Sequence, residues 1–203
     1  MPLLIGEEFR EDHGVALLSD LEPDLILCVH FPYLLTAAVL SIPSRGCLNL
    51  HPAYLPWNRG WHTSSWAILE NTPAGASLHW MDEGLDKGPL ALRREVPIRP
   101  DDTAHTLYLR ILESEKRLLD EAVPCMLRDN LGTEQQAPGG TFHRKKDLSR
   151  LAHLNLDESQ TVREILDRLR ALTTSSLSEA AWFSESGQAY RVQLRLVKVD
   201  DPD

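Results

Sequence analysis

The feature that most constrains the fold is a continuous apolar run over residues 25–29, which follows Pro23 and Asp24. A run of this kind is typical of a strand that is buried on both faces, as in a parallel sheet covered by helices. Further elements are predicted along the chain: strands at residues 47–50, 77–81 and 89–96, and helices at residues 33–40, 63–70 and 101–127. Strands that alternate with helices indicate an α/β layered domain, and we expect a mostly parallel sheet.

The longest helix is predicted over residues 101–127. Apolar residues recur on one of its faces, as at Leu107 and Ile111, which is the pattern of a helix packed on a core. Asp101 or Asp102 is expected to cap its N-terminus, since both can accept a hydrogen bond from the first free backbone amides.

A polar stretch at residues 131–140 contains glycine and glutamine and indicates a domain boundary. We therefore predict a core domain over residues 1–135 and a C-terminal appendage over residues 136–203. The appendage is expected to hold a helix at residues 159–172 and a hairpin of residues 180–183 and 188–199. Because a lone hairpin is marginally stable, we expect it to pack on the core or, in a homodimer, on a second subunit.

Composition bounds the class of protein. The net charge is −9, and phosphate backbones are bound through lysine and arginine, so a nucleic-acid partner is not expected. No apolar run approaches the roughly 20 residues of a membrane helix, and the first ten residues lack the pattern of a secretory signal. The cysteines, Cys28, Cys47 and Cys125, have neither metal-ligand nor disulfide-framework spacing. We expect a cytoplasmic protein without a metal site.

Chemically active residue types concentrate in residues 48–89. Asn49 and His51 are two apart on a predicted strand, so their side chains point to the same side. Pro52 ends that strand, which places both residues at its carboxyl end, where open α/β sheets bind their ligands. Three carboxylates follow the next predicted strand on a loop that contains glycines: Asp82, Glu83 and Asp86.

An amide, a histidine and a carboxylate suit acyl transfer to an amine. The oxyanion that forms needs donors placed in advance, and a proton must leave the attacking amine. No serine or cysteine nucleophile is evident, which favours direct attack through a tetrahedral intermediate over a covalent acyl-enzyme. From spacing alone, a polar turn residue followed by a satisfied histidine is the more common explanation of Asn49 and His51.

The stretch closely resembles the folate-dependent formyltransferase family. The family signature joins an Asn-x-His-Pro to a Leu-Pro and a Gly, and then to an Asp-Glu-Gly-x-Asp-x-Gly. The matching positions occur here in order: Asn49, His51, Pro52, Leu55, Pro56, Gly60, Asp82, Glu83, Gly84, Asp86 and Gly88. A weaker resemblance runs from about residue 21 to about residue 119. The resemblance implies a Rossmann-like formyltransferase core.

The resemblance also implies roles for these residues. Asn49 matches the oxyanion donor, His51 matches the group that polarises the formyl group and handles protons, and Asp86 matches the carboxylate that orients His51 and relays the proton. The implied formyl donor is 10-formyltetrahydrofolate, whose pteridine the family binds between two loops. The implied folate-binding residues are Phe31, Tyr33, Leu34, Leu35, Met81, Asp82 and Glu83.

Within the family, the details look most like the sugar N-formyltransferases, which act on an amino-deoxysugar linked to a nucleoside diphosphate. The matching segments are residues 56–60, 62–66, 72–75 and 142–148. The residues expected to contact this nucleotide-sugar substrate are Trp57, Arg59, His62 and His79.

The family normally begins with a longer stretch that holds a first strand and a glycine-containing loop. Here the recognisable part starts almost at once, with residues 1–6 as at best a remnant strand, so a partly truncated core is expected. Two alternatives stay open. One is a different amine acceptor, such as methionyl-tRNA, glycinamide ribonucleotide or a hydroxyornithine. The other is a truncated, non-catalytic folate-binding protein.

Overall fold

The structure is a computed structural model, and it describes residues 7–199. The expected remnant strand at residues 1–6 lies outside the described residues, as do residues 200–203. No helix in residues 7–199 is both long enough and apolar enough to cross a membrane.

The described chain alternates strands and helices before it reaches a C-terminal helix and hairpin. The strands are β1 (Ile26–Val29), β2 (Cys47–His51), β3 (Arg59–Gly60), β4 (Gly75–Trp80), β5 (Leu90–Glu95), β6 (Phe142–His143), β7 (Ala181–Glu185) and β8 (Gln188–Val192). The α-helices are α1 (Asp12–Asp20), α2 (Ala37–Leu40), α3 (Thr63–Glu70), α4 (Ala104–Leu127), α5 (Lys145–Ser149) and α6 (Val162–Leu172). Short 3₁₀ turns occur at Glu8–Arg10 and Leu177–Glu179.

The central sheet has four strands in the order β1-β2-β4-β5. The α/β class is confirmed, and so are the C-terminal helix and hairpin. Over the described residues the sheet is mixed, however, because β1 and β2 pair in parallel whereas β2–β4 and β4–β5 pair antiparallel. The β4–β5 connection contains no helix, and a parallel pair would need a longer crossover there.

The prediction that strand β1 is buried on both faces is wrong. It lies at one end of the strand order, and Leu27 and Val29 on one of its faces are 37% and 50% exposed. Helix α1 lies beside this face but leaves an apolar groove of about 450 Å³, to which Phe9, Leu17 and Leu27 contribute. The groove keeps this face of the strand partly open to solvent.

The main core lies between the sheet and helices α3 and α4. Leu48 and Leu78 from the sheet and Leu107, Ile111 and Leu118 from α4 are almost fully buried in one apolar cluster. The apolar stripe predicted for the longest helix is therefore part of the core.

Helix α4 begins at Ala104, and its cap is Thr103 rather than Asp101 or Asp102. Thr103 and Thr106 form a reciprocal capping box. The Asp102 carboxylate is used elsewhere, since it accepts hydrogen bonds from the Arg99 amide at 2.6 Å and from the Arg110 guanidinium.

Two other predicted elements are shorter in the structure. The helix expected at residues 33–40 contains only Ala37–Leu40, because Thr36 caps it and residues 31–35 form a loop. The strand expected at residues 188–199 ends at Val192. Beyond it, the Gln193 side chain and the Leu194 amide bond to Thr174 and Thr173 instead of continuing the ladder.

The C-terminal part is tied to the core by several contacts, among them a strand pair and an apolar cluster. Strand β6 pairs in parallel with β3, and the buried residues Leu148 and Leu172 pack against Trp66 and Leu69 of α3. The division into residues 1–135 and 136–203 stays a prediction.

Candidate active site

A cleft of about 460 Å³ opens at the carboxyl ends of the parallel strands β1 and β2. Asn49 and His51 lie on β2 and both contribute to its floor. The antiparallel partner β4 places His79 opposite Asn49 in register. Asn49, His51 and His79 are only 9%, 8% and 2% exposed. The strand-end position that the sequence predicts for Asn49 and His51 is therefore found in the structure.

Asp86 reaches the same floor from the loop after β4. Its backbone is left-handed, with φ +52, a conformation that aspartate tolerates better than most residues. Its Oδ2 accepts a hydrogen bond from the Gly60 amide at 3.1 Å, and its Oδ1 lies 3.5 Å from Asn49 Nδ2. The carboxylate is thus fixed against both β2 and β3.

The loop that carries Asp86 is held from two sides. The Gln136 side chain donates hydrogen bonds to the carbonyls of Asp86 and Gly88, at 2.9 and 2.8 Å. A Cβ at Gly88 would lie 1.9 Å from the Trp80 carbonyl oxygen, so the backbone approaches too closely for any other residue. The loop position, and with it the carboxylate position, depends on both contacts.

His79 supports Asn49 from below. Its Nδ1 donates to the Trp80 carbonyl at 2.9 Å, and its Nε2 lies 3.3 Å from Asn49 Nδ2. When His79 is neutral, Nδ1 carries its single hydrogen and Nε2 can accept from the amide of Asn49; the same nitrogen also lies 3.6 Å from Asp86 Oδ1. This arrangement fixes the plane of the Asn49 amide.

His51 is a buried and electrically neutral base. Burial lowers its pKa most strongly; the Asp86 charge opposes this, while His79 and His30 lower the pKa further. Its Nε2 is buried without a hydrogen-bond partner and lies 3.6 Å from Asp86 Oδ2. An imidazole whose buried nitrogen has no hydrogen-bond partner and lies beside a carboxylate is suited to accept a proton from a substrate.

Asp86 is ionised. Burial by itself raises the pKa of this carboxyl group, but His51, His79 and the Gly60 amide outweigh burial and lower the pKa to about 2. The negative charge of Asp86 therefore lies within 3.6 Å of both a neutral imidazole and an amide.

Most of the residues expected at the folate side line the cleft. Six of the seven line the cleft: Phe31, Tyr33, Leu34, Leu35, Met81 and Asp82. The rings of Phe31 and Tyr33 meet edge to face at 5.5 Å. Glu83 is exposed and lies outside the lining.

Only two of the four residues expected at the acceptor side line the cleft. His62 and His79 line the cleft, whereas Trp57 and Arg59 do not. Arg59 instead belongs to strand β3, and its guanidinium donates to the Gly139 carbonyl at 3.4 Å. The neighbouring Trp61 does line the cleft, and the Lys145 ammonium lies 4.9 Å from its ring centroid.

Several cleft residues are absent from the sequence-based expectations. They are His30, His105, Tyr108, Thr174, Ser175 and Glu179. His30 follows β1 directly, as Phe31 does, so its place at a strand end was a usable signal. Thr174, Ser175 and Glu179 reach the cleft through packing of the C-terminal part on the core, which local sequence patterns do not encode.

Comparison with known proteins shows the family to which this chain belongs. Residues 6–123 match the model of the formyl transferase family, and residues 147–198 match the N-formyltransferase dimerization C-terminal domain. This chain belongs to the formyl transferase family and is an N-formyltransferase.

The chain is also similar to individual members of this family. The chain is similar to the dTDP-4-amino-4,6-dideoxyglucose formyltransferase of Mycobacterium tuberculosis, with 32% identity over 85% of this chain and 73% of the relative. A sugar N-formyltransferase structure from a Shewanella species superposes with a TM-score of 0.86 at 26% identity, over 94% of this chain and 76% of the other. A formyltransferase from Anoxybacillus kamchatkensis, solved with UDP-4,6-dideoxy-4-formamido-L-AltNAc and tetrahydrofolate, superposes with a TM-score of 0.60 at 31% identity, over 63% and 67% of the two chains.

Proposed function

We propose that this chain transfers a formyl group from 10-formyltetrahydrofolate to the amino group of a nucleotide-linked amino-deoxysugar. The observation that carries the proposal is the buried cluster of Asn49, His51 and Asp86, in which the His51 Nε2 has no partner of its own. A buried polar atom without a partner is rare in proteins, and a bound substrate would supply the partner here.

The cleft suits the donor on one wall. Residues 31–35 present apolar side chains to it, and Leu34 is 52% exposed despite its apolar character. A flat aromatic ligand such as a pteridine would cover that surface, with the loop that carries Met81 and Asp82 facing it. When bound, 10-formyltetrahydrofolate supplies the activated formyl group. The relative from Anoxybacillus was solved with tetrahydrofolate, which supports this assignment.

The relatives favour an amino sugar as acceptor. By their names, the Mycobacterium relative acts on a dTDP-linked amino sugar, and the Anoxybacillus structure holds a UDP-linked formamido sugar. A net charge of −9 counts against a tRNA acceptor, since RNA binding requires an excess of basic surface. His62, Trp61 and His79 are the proposed contacts on the acceptor side of the cleft.

The proposed reaction is a direct attack of the acceptor amine on the formyl carbon. Asn49 donates a hydrogen bond to the oxygen on which negative charge develops. In the structure its Nδ2 already bonds to His79 at 3.3 Å, and its contact with Asp86, at 3.5 Å, is the longer one that a ligand oxygen would replace. His51 Nε2 accepts the proton that the amine loses, and the Asp86 charge stabilises the resulting imidazolium. His51 would then return this proton to the folate nitrogen as the bond between that nitrogen and the formyl carbon breaks, so that tetrahydrofolate leaves and the formamide remains on the sugar.

We propose further that the chain is a homodimer through its C-terminal appendage. The match of residues 147–198 to a dimerization domain supports this. Exposed apolar side chains occur there, among them Leu177, Tyr190 and Val197. A two-stranded hairpin gains stability when it packs on further strands or on another subunit.

A cytoplasmic location is also proposed. The three cysteines are free thiols, and burial raises the pKa of Cys28 and Cys47 to about 11, so both stay protonated and unreactive. Free buried thiols are common in proteins of a reducing compartment.

The test is release of tetrahydrofolate from 10-formyltetrahydrofolate in the presence of a panel of dTDP- and UDP-linked amino sugars. We expect turnover with one class of sugar and loss of turnover in Asn49→Ala. Asn155→Ala is the matched control, because Asn155 lies outside the cleft. Folate binding without turnover on any sugar would contradict the proposal and favour another amine acceptor or a non-catalytic folate binder.

A further inference from the structure

A second cluster of titratable groups lines the same cleft, away from Asn49 and Asp86. It consists of His30, directly after β1, and Tyr108 and Glu115 on helix α4. Tyr108 and Glu115 are seven residues apart, which places them on one face of the helix, two turns apart. His30 and Tyr108 contribute to the cleft surface, whereas Glu115 is buried beneath them, 3% exposed.

Hydrogen bonds join the three residues in a chain. Nε2 of His30 lies 2.6 Å from Glu115 Oε2, so this nitrogen carries a hydrogen that it donates to the carboxylate. Nδ1 of His30 lies 3.1 Å from the Tyr108 hydroxyl oxygen. The other carboxylate oxygen, Glu115 Oε1, is buried without a hydrogen-bond partner. The Glu115 carboxylate is therefore hydrogen-bonded to His30 through Oε2 alone.

The protonation state of His30 decides what the Tyr108 hydroxyl offers to the cleft. When His30 is neutral, its Nδ1 is bare and the Tyr108 O–H group donates to it. When His30 is charged, Nδ1–H donates to the Tyr108 oxygen, and the hydroxyl hydrogen of Tyr108 is free to donate elsewhere. A group in the cleft then meets a hydrogen-bond donor that is polarised by an imidazolium.

We propose that Tyr108 is a ligand-binding residue whose hydroxyl donates a hydrogen bond to an anionic oxygen of a bound substrate, and that His30 and Glu115 are positioning residues that keep this hydrogen available. This inference rests on the proposed function. Two substrates of that reaction carry such oxygens: the glutamyl carboxylates of the folate and the diphosphate of the nucleotide sugar.

The electrostatics support the donor state. The hydrogen bond to Glu115 raises the pKa of His30 most strongly, against an opposing effect of burial. Burial and the Glu115 charge raise the pKa of Tyr108, so the hydroxyl keeps its hydrogen. The titratable groups that face His30 are Glu115 and Tyr108 from α4 and, within the cleft, His51 from β2. Ligand binding through Tyr108 should therefore be strongest below the pKa of His30 and weaken as pH rises through it.

The experiment measures dissociation constants of tetrahydrofolate and of dTDP by calorimetry, for the wild type and Tyr108→Phe. We expect a loss of about tenfold in affinity for one of the two ligands, since a hydrogen bond to a charged group has that magnitude. The affected ligand identifies the source of the anionic oxygen. Tyr54→Phe is the matched control, because Tyr54 lies outside the cleft with its ring 4.8 Å from the Arg93 guanidinium.

A pH series separates positioning from a structural role. From about pH 6 to about pH 9, the wild-type affinity for the affected ligand should fall relative to the affinity of His30→Gln. Because both proteins bind the same ligand, the titration of the ligand itself cancels in this comparison. Unchanged affinity for both ligands in Tyr108→Phe, or identical pH dependence in the wild type and His30→Gln, would overturn the inference alone. Failure of the wild type to bind either ligand would overturn both the inference and the proposed function.

Discussion

Nε2 of His51 and Oδ2 of Asp86 face each other at 3.6 Å in the buried floor of the cleft. The distance is longer than a hydrogen bond, and the His51 nitrogen has no other partner. The carboxylate is held in place by the Gly60 amide and by the Gln136 contacts to its loop. The pair is therefore positioned by contacts within the protein itself.

Replacement of the base should reduce catalysis and leave binding intact. We expect His51→Asn to lower kcat by about two to four orders of magnitude, which is the usual contribution of a general base, with small changes in KM for either substrate. Steady-state kinetics checks this. The matched control is His13→Asn on the exposed face of α1, which should behave as the wild type. An equally active His51→Asn variant would exclude His51 as the base.

The pH dependence of the rate should show the buried environment of His51. Because burial lowers the pKa of His51, the acidic limb of the kcat profile should lie below the ordinary histidine value of about 6.5. Asp86 opposes that shift, so Asp86→Asn should move the limb to still lower pH while it lowers the rate. A limb that moves upward in Asp86→Asn would contradict the assignment of this carboxylate as the partner of His51.

Asp86 should also stabilise the folded protein near neutral pH and lose this effect in acid. Its pKa is depressed to about 2, so its stabilising effect is present above the unfolded-state value of about 3.9 and is lost as pH falls toward 2. Urea unfolding between about pH 5 and about pH 2 should show a steeper fall in the free energy of unfolding for the wild type than for Asp86→Asn. Parallel curves for the two proteins would show that Asp86 titrates alike when folded and unfolded.

Gln136 should affect catalysis although it does not line the cleft. Its side chain holds the carbonyls of Asp86 and Gly88, so Gln136→Ala should release the loop and lower kcat by about tenfold, with the melting temperature little changed. Gln135→Ala is the control, since the neighbouring Gln135 is exposed. If both variants retain full activity, the contact from the C-terminal part is not needed to place Asp86.

Helix α4 should stabilise the protein mainly through the face that packs in the hydrophobic core. Leu118 is 1% exposed within the main cluster, whereas Leu109 on the same helix is 48% exposed. Leu118→Ala should lower the free energy of unfolding by about 2–5 kcal/mol through lost burial and a residual cavity, and Leu109→Ala by less than about 1 kcal/mol. Chemical denaturation of the two variants measures this directly, and similar losses in both would contradict the packing described for α4.

Much of the site could be predicted from the sequence because it is local. Asn49 and His51 share a strand end, and the spacing to Asp86 repeats a family signature, so their convergence needed no knowledge of distant contacts. His30, Tyr108 and Glu115 lie on elements far apart in the chain, and only the packing of α4 beside β1 brings them together. The mixed sheet and the exposed face of β1 escaped prediction for the same reason, because strand pairing and coverage by neighbours are properties of the tertiary structure.

The central claim is that the formyl group passes to an amine of a nucleotide-linked sugar. The most direct measurement supplies 10-formyltetrahydrofolate that carries an isotope label on its formyl carbon, together with a nucleotide-linked amino-deoxysugar, and follows the label by NMR. The proposal predicts that the label appears as a formamide on the sugar nitrogen in the wild type and that Asn49→Ala and His51→Asn transfer little or none. Label that appears only as free formate, or that stays on the folate with every sugar tested, would contradict it.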